Sequence, residues 1–287
     1  MNRICIYPIM FSLILSGCSF QKLALRTTTG IFSYSVEALY DEVDLQLAEQ
    51  AMASNLKLLE GFHKADPTNK EILLLLTQGF SSYSMGFVED DNVARAKLFY
   101  LRARNYGFLL LKQTKAFRDS IPTQEKNFLV RIQRTQQSDI AAIYWTAFAW
   151  GGWISLSKDD PQAIFDLGKV KAMMTRVIEL DQSFFYGTAH LFFGAIAGSL
   201  PRMLGGDPEQ ARLYFEKCLA LNNERLMLGY VYLARYYAQP LLDEALFDKY
   251  LTIVLQAPID ILPENRLLTA IAKDKAQKLI IKKQDLF

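Results

Sequence analysis

The stretch GAIAGSLPRMLGGDPEQARLYFEKC, Gly194 to Cys218, decides how this chain folds. It opens on a small residue, breaks at Pro201 and at Gly205-Gly206, and restarts at Asp207-Pro208. An Asp side chain accepts from the free N–H groups of a helix start, and Pro suits the first helical position because it has no N–H to satisfy. Ala211, Phe215 and Cys218 then stand four and three residues apart and share one helix face. The stretch reads as two helices joined by a turn, with Gly194 letting the second approach the first. The same 17, 4 and 3 spacing links Gly79 to Ala96, Tyr100 and Ala103, and Gly229 to Leu246, Tyr250 and Ile253. Gly152, Val170, Met174 and Val177 form a weaker copy, one residue out of step. From Gly194 to Gly229 is 35 residues, a period proper to helical hairpins that stack.

Working outward, period-2 alternation is almost absent beyond Gly30, and apolar residues recur at three and four. Val36, Leu39, Tyr40, Val43, Leu47 and Met52 predict one long amphipathic helix, followed by Leu56, Leu58, Leu59 and Phe62. Asp66-Pro67 and Asp160-Pro161 predict two more helix starts. The pattern resembles the tetratricopeptide repeat, with Leu228-Gly229, Tyr232 and Pro258 in matching places. That family spaces its Gly and Ala by about 12; the longer spacing here predicts long inner connections at 87–93, 199–208 and 239–243. The expectation is an all-α chain of about four divergent repeats over 31–287, stacked into a curved solenoid with a concave face.

Composition narrows the function. Of 287 residues 51% are hydrophobic, too many for a disordered chain. A net charge of +2 leaves no electrostatic footprint for nucleic acid, so none is expected as a partner. Two His and three Cys form no metal-binding pattern, and no phosphate-cradling glycine loop is present. No Ser/His/Asp order or paired carboxylates stand out, so neither a catalytic residue, a metal nor a cofactor is expected. Lys273, Lys275, Lys278, Lys282 and Lys283 read as a solvated helix face.

The start of the chain reads as an address. One positive charge at Arg3 precedes an uncharged, mostly apolar run from Ile4 to Ser16, the length of a signal-peptide core and short for a membrane span. Leu15-Ser16-Gly17-Cys18 resembles the bacterial lipobox. The expectation is a signal peptide at 1–17, an acylated Cys18 with a linker to residue 30, and a helical domain at 31–287. Acyl chains contribute about 0.8 kcal/mol per buried CH₂, so two or three hold a soluble domain on a bilayer. With Cys5 removed and Cys18 acylated, only Cys218 remains and no disulfide can form within the mature chain.

Two stretches, Ile140 to Ser157 and Gln182 to Pro201, lack charged residues, and the first holds all three Trp. Each is broken by Gly or Pro and precedes a charged amphipathic helix, so both are read as covered helices rather than membrane spans. Apolar on all sides, they predict an apolar lumen. Tyr144, Trp145, Phe148, Trp150, Trp153, Tyr186, His190 and Phe193 are the candidate lining for an apolar or amphipathic small molecule. Ser157, Asp159, Arg202, Gly205, Gly206 and Asp207 are the candidate rim.

Several strings resemble one family: Asn55-Leu56-Lys57-Leu58-Leu59-Glu60, Gly79-Phe80 with Tyr83 and Phe87, the run Ala149 to Asp159, and Leu204-Gly205-Gly206-Asp207-Pro208-Glu209 with Ala211, Arg212 and Phe215. Together with the lipobox they look like the T-component (TatT) of tripartite ATP-independent periplasmic (TRAP) transporters. The resemblance implies a lipoprotein anchored in the bacterial envelope and facing the periplasm. It also implies a homotrimer, an apolar cavity, and association with the transporter's periplasmic substrate-binding subunit. The alternative is a tetratricopeptide-type scaffold lipoprotein for envelope assembly, with no small-molecule site.

Overall fold

The computed structural model describes residues 31–118, 120–199, 203 and 206–287. The signal segment 1–17, the segment 18–30 with Cys18, and Arg202 and Gly205 of the expected rim lie outside the described residues. Among the described residues there are thirteen α-helices and no strand. They are α1 (Ile31–Tyr40), α2 (Leu45–Ala65), α3 (Lys70–Tyr83), α4 (Val93–Leu111), α5 (Glu125–Ile132), α6 (Ile140–Leu156) and α7 (Pro161–Asp181). Then follow α8 (Ala189–Ser199), α9 (Pro208–Leu221), α10 (Met227–Leu233), α11 (Glu244–Gln256), α12 (Arg266–Ile281) and α13 (Lys283–Leu286). Among the described residues no helix is long and apolar enough to cross a membrane.

Side-chain caps set the helix starts. Asp160 accepts from the Gln162 N–H at the head of α7, and Asp207 from the Gln210 N–H at the head of α9, each with Pro at the first helical position. The third Asp-Pro pair behaves differently. Asp66 closes α2, its N–H donating to the Phe62 carbonyl, and Asn69 caps α3 three residues later. The long helix expected from Val36 to Met52 is divided at Asp44, whose side chain accepts from the Gln46 and Leu47 N–H groups and starts α2. Apolar periodicity runs through both segments; the cap interrupts the backbone without interrupting the pattern.

Most helices pack on their chain neighbours, α3 on α2 and α4, α6 on α7, α8 on α9 and α10 on α11, while α6 also reaches past α5 to pack on α4. α12 packs on α10 and α11 and also reaches α1 and α2, so the end of the chain returns to its beginning. Glycine contacts explain the close approaches. A Cβ on Gly194 would lie 2.4 Å from the Phe215 ring, and one on Gly152 2.5 Å from the Tyr100 ring. Only Gly194 faces the helix that follows it; Gly152, Gly79 and Gly229 face earlier helices, against Tyr100, Leu56 and Leu219. The third copy also shifts register. Leu246, Tyr250 and Ile253 are half-buried, while Phe247, Leu251 and Val254, one residue on, are fully buried. This is the register of the Gly152 copy.

Two of the long inner connections are partly helical. A π turn, Ser84–Val88, extends α3 into 87–93; a second, Ala234–Ala238, extends α10 and runs into a 3₁₀ turn, Gln239–Leu241, at the start of 239–243. Such wide turns occur mostly as single-turn bulges and often sit at functional sites.

Candidate functional site

Three places collect the groups with chemical potential. The first is the aromatic block on α6. Twelve of its seventeen residues are buried, which is what an uncharged helix requires. The ring of Tyr144 packs on Trp145, Phe148 and Phe185, and its hydroxyl shares a hydrogen bond with Thr188. Trp150 packs on Phe108 of α4 and Phe128 of α5, and Trp153 lies near the Arg104 guanidinium. His190 and Phe193 meet the Tyr214 ring on the far side of α8. The eight aromatic candidates are therefore divided among three neighbourhoods. Tyr186 belongs with the first; it adjoins Phe185 in a tight turn where both residues take left-handed backbone angles, φ 62° and 44°. That turn is what interrupts the second uncharged stretch. His190 is buried with neither ring nitrogen hydrogen-bonded among the described residues. Burial, then the Lys217 charge, lower its pKa and favour the neutral ring.

The second place is an apolar cavity of about 170 Å³ beneath α1. Val36, Leu39 and Tyr40 of α1 roof it, Leu56 and Leu59 of α2 form one wall, and Ile271 of α12 forms another. Phe185 reaches it from the tight turn, but none of the eight aromatic candidates does. Gln78 donates to the Tyr40 hydroxyl at its edge, and burial pushes the Tyr40 phenol up to about 12. The lining comes from both ends of the chain. The sequence signal for it was the apolar face of α1, which has no partner within its own segment.

The third place is a charged junction. Glu89 and Asp90, just past the first π turn, both accept from the Lys275 ammonium of α12, at 3.0 and 2.5 Å. The Tyr100 hydroxyl donates to Glu89 at 2.6 Å, and Arg235 of the second π turn lies 3.8 Å from Asp90. Lys275 is buried, so the reading of the C-terminal lysines as one solvated face fails at this position. Burial pulls the Lys275 ammonium down, but Glu89 and Asp90 outweigh it and hold its pKa above the usual lysine value. Burial pushes Asp90 up, but Lys275 and Arg235 outweigh it and hold the carboxyl below its usual range. Sequence reasoning missed the junction because its partners lie 185 and 186 residues apart.

Of the rim candidates, Ser157 ends α6 with its hydroxyl buried and without a partner among the described residues, and Asp159 is exposed, 3.8 Å from Lys97. Gly206 is buried, and the Asp207 N–H donates to the Ala197 carbonyl, tying the head of α9 to α8.

A family model described as TRAP transporter T-component matches residues 41–287, almost all of the described chain. No curated protein matches.

Proposed function

Because the chain belongs to the TRAP transporter T-component family, and so has an accessory role in such a transport system, we propose that it binds the periplasmic substrate-binding subunit of that system and holds a small apolar ligand. The protein is a lipoprotein, cleaved before Cys18, acylated there and facing the periplasm. Its helices form tetratricopeptide-like hairpins in a solenoid that assembles as a homotrimer.

The observation that carries the ligand part is the roofed cavity under α1. An enclosed apolar space of about 150 Å³ takes a guest of about the size of benzene. A cavity of 170 Å³ therefore suits a small apolar group better than a long acyl chain. Desolvation supplies the affinity, at about 25 cal/mol per Å² of apolar surface removed from water. The aromatic block of Tyr144, Trp145 and Phe148 touches the same space through Phe185 and extends the proposed path inward. Because α1 directly follows the linker from Cys18, the anchor and the roof are adjacent in the chain.

Three measurements test the reading. A TRAP substrate-binding subunit of the same cell should co-purify with it from detergent-solubilised membranes, and Cys18→Ser should move the protein to the soluble fraction. Leu56→Trp should fill the cavity and abolish binding of a benzene-sized probe such as toluene. Unchanged toluene binding in that variant, or no co-purification of the two proteins, overturns the corresponding half.

A further inference from the structure

A fourth cluster lies apart from the cavity and goes beyond the transport role. Arg104 of α4 faces Trp150 and Trp153 of α6, its Cζ 5.8 and 5.5 Å from the two ring centres and 5.3 Å from that of Phe108. From α7, the Lys169 ammonium lies 5.7 Å from the Trp150 ring and 4.9 Å from that of Phe165. Lys169 donates to Asp166 at 2.8 Å, and both side chains are about 95% buried. Two cations thus flank one indole with one carboxylate between them, so the cluster is one negative charge short. The donors are in excess too. Arg104 Nε and Trp150 Nε1 are buried with no acceptor among the described residues, and the side chain of Arg104 otherwise reaches only Asn105, at 3.3 Å. A buried donor without an acceptor costs about 1–3 kcal/mol, more for a charged group. Glu125, against Gly168 on the neighbouring helix turn, is exposed and forms no ion pair with Lys169.

We propose that Arg104, Trp150 and Lys169 bind a small monoanion with an aromatic or apolar body, its head group a carboxylate. The residual charge of one matches a monoanion. The planar guanidinium fork and the indole N–H suit a planar two-oxygen acceptor. Trp153, Phe108 and Phe165 supply apolar and π surface for the body. Phe165 is exposed and Arg104 half-buried, so the cluster opens outward on that side. Asp166 is the positioning residue: it holds Lys169 in place and keeps a second anion out.

Indole ¹⁵N–¹H spectra of the full mature chain test this, because only three Trp contribute. Phenylacetate, titrated as the probe, should shift the Trp150 indole signal saturably, the signal being assigned by its loss in Trp150→Phe. The neutral isostere phenylacetamide should not shift it. Arg104→Gln should weaken phenylacetate binding at least tenfold, about 1.4 kcal/mol, with Arg104→Lys between it and the native protein. Helicity measured on each variant separates lost binding from lost fold. The proposal is overturned if phenylacetamide binds as well as phenylacetate, if Arg104→Gln keeps native affinity, or if only the Trp145 signal moves. Competition by chloride at equal concentration would remove the aromatic body from it.

Discussion

Two charge clusters, each built around a buried lysine, sit in the same protein and differ in balance. At the junction, Glu89 and Asp90 meet Lys275 and Arg235, two charges of each sign, with Tyr100 and Lys278 serving the same carboxylate run. On the α4–α6–α7 face, Arg104 and Lys169 meet only Asp166 among the described residues, and two donors find no acceptor there. Buried ions are tolerated when their charges and hydrogen bonds are met within the fold, and the penalty for removing one partner is large. The balanced group therefore reads as a clasp between the two ends of the chain. The unbalanced group reads as a site whose last partner comes from outside. The π turns agree with this division, since both border the clasp and neither borders the site.

The clasp should be the more fragile of the two. Lys275→Met leaves the half-buried Glu89 and Asp90 without their shared ammonium and should cost about 3 kcal/mol in chemical denaturation, the lower end of what breaking a buried pair costs. The pH dependence sharpens the point. Asp90 has its folded pKa depressed, so its contribution is complete above about pH 4, the unfolded value, and is lost as pH falls through the folded one. Lys275 has its folded pKa raised, so its contribution holds below about pH 10.4 and is lost as pH rises further. Removing Lys275 should shrink the acid loss of stability. A variant with native stability and a native acid limb would show that the clasp contributes nothing.

A steric lever acts on the same clasp with a smaller effect. A Cβ on Gly198 would stand 2.0 Å from the Tyr236 carbonyl oxygen, inside the π turn that carries Arg235. Backbone cannot swing aside as a side chain can. Gly198→Ala should cost about 1–3 kcal/mol, the usual range for overpacking. Gly86 in the other π turn meets only the tip of Ile271, at 2.9 Å, and a flexible end can yield, so Gly86→Ala should cost less. Equal thermal shifts for the two variants would mean that the π turn near Arg235 is free to move.

How much of this was legible depended on distance along the chain. Caps and faces are local, so Asp160, Asp207 and the buried Ala211–Phe215–Cys218 face could be read directly. Where two local signals competed, the reading slipped: apolar spacing ran through Asp44, and Asp66-Pro67 looks the same as a start or a stop. The third repeat copy slipped by one because Leu246, Tyr250 and Ile253 are as apolar as the buried Phe247, Leu251 and Val254 beside them. The richness of Trp and Phe on α6 was visible as composition. The partition of those rings among three neighbourhoods was not, since it depends on which of α4, α5, α7, α8 and α9 lies opposite each face. The clasp joins residues more than 180 apart, and no periodicity reports such a pairing.

The smallest stability change is expected on the unbalanced face, and it separates the two groups most sharply. Asp166→Leu with Lys169→Met removes the internal pair as a unit and replaces it with apolar groups of similar size. Such exchanges are often neutral or favourable because two desolvation penalties leave together with the attraction they supported. The double variant should therefore stay within about 1 kcal/mol of the native protein in urea denaturation. Its Arg104 guanidinium would keep one positive charge but lose the second cation across the indole, so phenylacetate binding should weaken with almost no change in fold. The opposite result, a loss of several kcal/mol with binding intact, would place Asp166–Lys169 in the same class as the clasp and remove the reason for treating the two groups differently.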